Sequence, residues 1–99
     1  MFEVDGRRFD WDDNKNKANI YTHGISFQEA ATVFSDTNAI ETDDDEHSQK
    51  EDRFIIIGRS RRLRLMVVCH CYRENDTIIR IISARKANKD ETKIYGGAK

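Results

Sequence analysis

Three apolar runs in the second half of the chain constrain its fold most strongly. Each is rich in β-branched or aromatic residues, and short polar segments separate them; they are Phe54 to Gly58, Leu65 to Tyr72 and Thr77 to Ala84. Such runs predict strands, and connections this short predict antiparallel neighbours. Paired isoleucines at 78–79 and 81–82 indicate burial on both faces of the third run. We therefore expect an antiparallel meander whose last strand is central.

The first half of the chain carries helix signals. Asp12 can cap a helix that runs to about His23, where Gly24 is a typical stop residue. Ser26 begins a second helix, and Glu29 stands three residues later, as in a capping box. Two short helices are therefore predicted before the meander.

Further short elements are predicted at the N-terminus, in the middle and at the C-terminus of the chain. The strand candidates are Met1 to Val4, the alternating stretch around Phe9 and Trp11 after the Asp5-Gly6 turn, and Ala39 to Thr42. Asn88 and Glu91 cap a last helix, which Ile94 and Tyr95 would dock and Gly96-Gly97 would end. Together these signals predict one α+β domain over residues 1–99. Its small antiparallel sheet would be packed by two N-terminal helices and a C-terminal helix.

Charge is divided unevenly between the halves of a chain whose net charge is only −1. Residues 1–50 hold 5 Lys/Arg and 12 Asp/Glu, which gives −7, and residues 51–99 hold 12 and 6, which gives +6. Ten of the 17 cations are arginines, whose planar fork suits phosphate. The pattern favours a local anion site over a wholly basic coat. The alternative is a solvated surface on which the two halves intermix.

Location signals are few. No stretch approaches the length of about 18 apolar residues that a membrane span needs, and the N-terminus lacks the pattern of a signal peptide. The two cysteines, Cys69 and Cys71, are expected to be reduced thiols. These features predict a cytoplasmic protein without a membrane association.

Basic residues gather around the three predicted strands, at Arg53, Arg59, Arg61, Arg62, Arg64, Arg80, Arg85 and Lys86. If the strands are neighbours, these cations line one region of the sheet, which predicts phosphate binding. Arg80 stands inside a strand and therefore needs a carboxylate, an exposed face or a ligand. The alternative is that the cations form salt bridges with the acidic N-terminal half.

The histidines differ in what their positions indicate. His47 lies in a loop after an acidic run, where either a functional role or plain exposure is consistent with the sequence. His23 suits a helix C-terminus, where its charge complements the helix dipole. Cys69-His70-Cys71 suggests a metal triplet, but strand alternation sends His70 to the opposite face from both cysteines. Buried packing residues are the preferred interpretation, and no metal or cofactor is predicted.

Ordered motifs along nearly the whole chain resemble the BrnT toxin family. The N-terminal ones are Trp11-Asp12, Lys15, Asn19, His23-Gly24-Ile25-Ser26-Phe27 and Glu29-Ala30. The middle ones are His47-Ser48, Glu51 with Arg53, Ile57-Gly58-Arg59-Ser60 and Arg64-Leu65. The last are Arg80-Ile81-Ile82-Ser83-Ala84-Arg85, Ala87, Glu91 and Tyr95. The combination, in this order and spacing, is more specific than any single motif.

The resemblance implies a fold like that of the RelE/ParE toxin superfamily and an RNA-cleaving toxin of a type II toxin–antitoxin pair. It also implies a BrnA-like antitoxin that carries the DNA-binding domain. The toxin would then meet DNA only through that complex, which represses its own gene.

RNA cleavage without metal needs an in-line 2′-hydroxyl attack, stabilisation of negative charge and a proton for the leaving oxygen. With the resemblance, the cations suggest that Arg64 and Arg85 clamp the phosphate. His47 is the candidate acid or base, with Tyr95 as a second candidate. The remaining cations predicted to hold RNA are Arg53, Arg59, Arg80 and Lys86.

Three other functions are consistent with parts of the sequence. A ParE-like toxin would block a topoisomerase without catalysis, and candidate acid–base residues near the arginines argue against it. A degenerate toxin could persist as an inactive interaction module, because the arginines may equally contact an antitoxin. A purely structural domain is the last alternative, and the extended family resemblance disfavours it.

Overall fold

The computed structural model describes residues 1–48 and 50–97. Its strands are β1 (Phe2–Val4), β2 (Arg7–Asp10), β3 (Ile40–Asp43), β4 (Phe54–Arg59), β5 (Leu65–Arg73) and β6 (Ile78–Lys86). Its helices are α1 (Asp13–His23), α2 (Phe27–Ala31) and α3 (Lys89–Gly97), with 3₁₀ turns at Thr32–Ser35 and Asp45–His47. Within these residues, no helix is long and apolar enough to cross a membrane.

The six strands form one sheet in the order β1-β2-β6-β5-β4-β3. This order confirms the meander and the central position of β6. However, β2 pairs with β6 in parallel, so the prediction of a purely antiparallel sheet was wrong. Helices α1 and α2 and three strands lie between β2 and β6 in sequence, so no tight turn imposes an antiparallel pairing on β2 and β6.

Local capping chemistry sets the helix ends largely as predicted. The Asp12 carboxylate accepts a hydrogen bond from the Lys15 amide at 3.0 Å, and Gly24 ends α1 with a φ of 67°. Ser26 accepts from the Glu29 amide at 3.1 Å. The Glu29 carboxylate does not complete this capping box, because it accepts hydrogen bonds from Ser60 and Arg64.

One face of the sheet, here called the helix face, packs against α1 and α2 and holds the main core. Phe9, Phe27, Met66, Val68 and Ile81 are all fully buried there. The same core buries Phe27, Ala30 and Ala31 of α2 and Phe34 of the 3₁₀ turn that follows it. Burial of this one face supplies most of the apolar contact in the fold.

The opposite face, here called the open face, is covered only in part by α3. Tyr95 is buried against Ile57 and Val67, as predicted. Ile94 is 53% exposed, so the prediction that it docks the helix was wrong. The helix includes Gly96 and Gly97, and Gly97 is its last described residue. Because α3 covers only the part of the open face around Tyr95, much of that face stays accessible.

An irregularity between β5 and β6 decides which side chains reach the open face. The register shifts at Cys69/His70, so that Cys69 pairs with Ser83 while His70 pairs with Ile81. Ile82 is the extra residue of this bulge. The shift lets Ile81 and Ala84 both join the core of the helix face. Ser83 can then line the open face beside Cys69.

Candidate functional site

A groove of about 500 Å³ lies on the open face beside the first turn of α3. It is lined by Asp44, Glu46, His47, Arg53, Ile55, Val67, Cys69, Ile82, Ser83, Arg85 and Glu91. The groove brings together three of the residues predicted to act on RNA, namely His47, Arg53 and Arg85.

His47 stands on the 3₁₀ turn that follows the acidic run, and its side chain is 59% exposed. Its Nδ1 lies 3.0 Å from Oδ2 of Asp44. A carboxylate accepts hydrogen bonds, so Nδ1 carries a proton and Nε2 is the atom available for proton exchange. The arrangement can hold an acid or base at the mouth of the groove.

Arg85 is held in place by a two-pronged ion pair. Its two terminal nitrogens each donate to a Glu91 oxygen at 2.7 Å. The pair raises the pKa of Arg85 and lowers the pKa of Glu91. Glu91 is itself fixed, because it accepts from the Asn88 amide at 2.9 Å. A guanidinium has five N–H donors, so donors of the half-exposed Arg85 remain for a phosphate.

Arg53 reaches the same groove from the start of β4. Its Nε is buried and has no hydrogen-bond partner among the residues that the structure describes. A Glu51 oxygen lies 4.0 Å away, which is too far for a hydrogen bond. A buried donor without an acceptor is costly, and an anionic ligand would supply one.

Cys69 lies in the groove as a thiol, not as a reactive thiolate. Burial, aided by Asp44, raises its pKa to about 11. His70 points away into the helix-face core, where its Nε2 lies 2.5 Å from a Glu41 oxygen. The predicted separation of the cysteines and the histidine onto two faces is therefore confirmed.

Arg64 does not line the groove, although it was predicted as a phosphate clamp. Its guanidinium forms a two-pronged ion pair with the buried Glu29 carboxylate and donates to the Gly24 carbonyl at 3.1 Å. The hydrogen bond from Arg64 holds the pKa of Glu29 below its ordinary value. The pair ties the start of β5 to α2.

Tyr95 also lies away from the groove. Its hydroxyl donates to Oδ2 of Asp36 at 2.7 Å, and Arg59 lies 5.6 Å above its ring. The hydrogen bond to Asp36, together with burial, raises the pKa of Tyr95. The hydroxyl is therefore occupied by its hydrogen bond to Asp36, near the C-terminal end of β4, and does not reach the groove.

The remaining predicted RNA contacts are distributed over the surface. Arg80 pairs with Asp10 across β6 and β2 at 3.3 Å, which meets its predicted need for a carboxylate. Arg59 and Lys86 line a second cavity, together with Arg64. Salt bridges to the acidic N-terminal half, the alternative interpretation, account for Arg61, Arg62, Arg64 and Arg80.

Two groove residues were missed by sequence reasoning. Asp44 orients His47, and an acid three residues before a loop histidine was a usable local signal. Glu91 was identified only as a helix cap, and its second role depends on the position of Arg85 in the folded sheet. Among the described residues, Asp44, Glu46 and His47 also bring possible metal ligands within 4.8 Å of one another.

The structure is a small α+β protein whose open-face groove is lined by one histidine and two arginines. Residues 11–91 match the model of the family described as "Ribonuclease toxin, BrnT, of type II toxin-antitoxin system". The chain belongs to this family and is a ribonuclease toxin of a type II toxin–antitoxin system.

A solved structure shares the fold. The 1.1 Å crystal structure of the Brucella abortus ribonuclease toxin BrnT is similar, with a TM-score of 0.63 and 24% sequence identity. The alignment covers 84% of this chain and 99% of that one. The comparison with curated protein sequences gives no match.

Proposed function

We propose that this toxin cleaves RNA without metal, in the groove of the open face. The observation that carries the proposal is the convergence of His47, Arg53 and Arg85 on one groove. Two of these side chains are held by carboxylates of the same groove, His47 by Asp44 and Arg85 by Glu91. Preorganised charge and a fixed acid–base group are what phosphodiester cleavage requires.

In this proposal the ribose 2′-hydroxyl attacks the adjacent phosphorus, and the bond to the 5′-oxygen of the next nucleotide breaks. A cyclic 2′,3′-phosphate and a 5′-hydroxyl end result. Nε2 of His47 either accepts the proton of the attacking 2′-hydroxyl or donates one to the leaving 5′-oxygen, water carries the other proton, and Asp44 keeps the ring oriented. Arg85 and Arg53 stabilise the negative charge that accumulates on the phosphoryl oxygens.

We assign Arg64 and Tyr95 to the fold instead of the reaction. Their hydrogen bonds to Glu29 and Asp36, away from the groove, support this assignment. Arg80 remains a proposed contact for a flanking phosphate, since its strand also carries Arg85. An RNA contact at Arg59 and Lys86 stays a prediction.

The partner in this proposal is a BrnA-like antitoxin, and the toxin meets DNA only in complex with it. Membership of a type II toxin family supports an antitoxin partner. We further propose a cytoplasmic protein that forms a single domain over residues 1–99 and resembles the RelE/ParE superfamily. The single sheet that joins both ends of the chain supports one domain.

Induced expression in a bacterial host, with and without the neighbouring gene, tests the proposal. Growth arrest with new 5′-hydroxyl RNA ends, relieved by the neighbour and lost in Arg85→Ala, is the expected result. Arrest with intact RNA would favour a topoisomerase-blocking toxin, and no arrest would favour an inactive module. Cleavage by the purified protein in excess EDTA tests metal independence, and its loss would contradict that point.

A further inference from the structure

A second cavity, of about 490 Å³, lies where the β4–β5 turn meets the end of α1 and the β6–α3 junction. We call it the hairpin pocket. Its lining includes Ile25, Arg59, Leu63, Leu65, Lys86 and Thr92. The proton transfer and charge stabilisation proposed for the groove use no residue of this cavity, although Arg59 and Lys86 are also predicted RNA contacts.

The hairpin pocket is cationic, and no carboxylate lines it. Arg59 and Lys86 form no salt bridge with any carboxylate of residues 1–48 and 50–97. Arg64 also lines the pocket, but Glu29 balances its charge. Arg59, whose guanidinium also stacks on the Tyr95 ring, and Lys86 therefore bring to one cavity two cations that form no salt bridge among the described residues, and such a cavity attracts an anion.

Leu63 adds an apolar feature at the rim of the pocket. It is 73% exposed and has a φ of 65°. Its amide donates to the Ser60 carbonyl at 2.8 Å, which places it at the left-handed position of a tight hairpin turn. Glycine is the favoured residue at such a position. The turn thus carries an exposed leucine at a backbone conformation that glycine adopts with less strain. This cost suggests that the leucine side chain is functional.

We infer that the hairpin pocket docks an acidic segment of the antitoxin, with an aliphatic side chain beside the carboxylate. Arg59 and Lys86 would bind the carboxylate, and Leu63 with Ile25 and Leu65 would contact the aliphatic group. No Phe, Tyr or Trp lines the pocket, and its planar groups are the His23 ring and the guanidinium groups of Arg59 and Arg64. The aliphatic side chains of Leu63 and Leu65 beside the cations favour a protein segment over RNA. The inference relies on the proposed function only for the identity of the partner.

The pocket and the groove share the β6–α3 junction. Arg85 and Glu91 line the groove, while their chain neighbours Lys86 and Thr92 line the pocket. A segment bound in the pocket would lie against the residues that fix Arg85. Docking there places the antitoxin beside the reactive centre without filling it.

Leu63→Gly gives the sharpest test. The substitution removes the side chain and relieves the backbone, so the melting temperature should equal or exceed that of the wild type. Affinity for the purified product of the neighbouring gene, measured by calorimetry, should fall about tenfold or more. The rate of RNA cleavage should not change. The matched control is Tyr21→Ala, which removes a side chain that is 93% exposed on α1 and should leave the affinity unchanged.

Charge is tested by Lys86→Glu against Arg8→Glu, an identical charge change at an exposed residue outside the pocket. The first should weaken antitoxin binding about tenfold or more, and the second by less than about threefold. Unchanged affinity in both Leu63→Gly and Lys86→Glu would overturn the inference. So would slower RNA cleavage by Leu63→Gly with intact antitoxin binding, which would assign the pocket to RNA. A wild type that binds antitoxin but cleaves no RNA would refute the ribonuclease proposal alone.

Discussion

The two faces of the sheet are formed by the same strands but carry different kinds of side chain. The helix face buries Phe9, Phe27 and Met66 completely and is closed by two helices. The open face is covered only in part by α3 and carries Arg85, which Glu91 holds in an ion pair. The difference shows that one face can supply stability while the other keeps charged groups accessible and oriented.

Deleting a large side chain from each face should give the largest contrast. Phe27→Ala should cost about 3–5 kcal/mol of unfolding free energy, because it leaves a cavity in the closed core. Ile82→Ala, at a half-buried residue of the groove, should cost about 1 kcal/mol or less. Urea denaturation measures the unfolding free energy of both variants. Equal losses would show that the two faces contribute equally to stability.

Removing one carboxylate from each arginine pair should separate stability from activity. Glu29→Gln should cost about 2 kcal/mol, because it weakens a buried acceptor of Arg64 and Ser60, and it should leave RNA cleavage by the folded protein intact. Glu91→Gln should cost about 1 kcal/mol or less but slow cleavage, because Arg85 loses its orientation. Thermal unfolding and RNA-cleavage rates, measured on the same samples, check both expectations. The reverse pattern would contradict the division between the faces.

Asp44→Asn should reduce RNA cleavage about tenfold. The asparagine amide can present either its oxygen or its NH2 group to Nδ1, so the tautomer and the orientation of the imidazole ring are no longer fixed and proton transfer should slow. Asp45→Asn, in the same turn, is the matched control and should leave the cleavage rate unchanged. An unchanged rate in Asp44→Asn would argue against His47 as the proton-transfer group.

Acid should destabilise the protein partly through Glu29. Its pKa is lowered in the folded state by the hydrogen bond from Arg64, so the unfolded chain binds more protons. The stability that this pair contributes is present above the unfolded pKa and is lost as the pH falls below about 4.5. The melting temperature of Glu29→Gln should therefore fall less between pH 6 and pH 4 than that of the wild type. An equal fall in the two melting temperatures would show that protonation of Glu29 does not contribute to the loss of stability in acid.

Local signals predicted much of the fold. Asp12, Ser26 and Asn88 act as caps because a cap needs only its own next few residues. The parallel pairing of β2 with β6 was missed because it joins segments about 70 residues apart, which no periodicity links.

The functional site, like the fold, was predictable only in part. His47 was proposed from its residue type and loop position, and Arg85 from its strand position together with the family resemblance, and the structure places both in one groove. The partners of Arg64 and Tyr95 were not predictable, since Glu29 and Asp36 lie 35 and 59 residues away in sequence. Which arginines stay accessible depends on such tertiary pairs.

The most direct test of the account compares Arg85→Ala with Tyr95→Phe in cleavage of a defined RNA by the purified toxin. Arg85→Ala should lower kcat/KM about 10²–10³-fold while the fold is retained, because the groove loses charge stabilisation. Tyr95→Phe removes only a hydroxyl that is bound to Asp36 and should stay within about threefold of the wild type. Full activity in Arg85→Ala, or a large loss in Tyr95→Phe, would contradict a reactive centre in the groove of the open face.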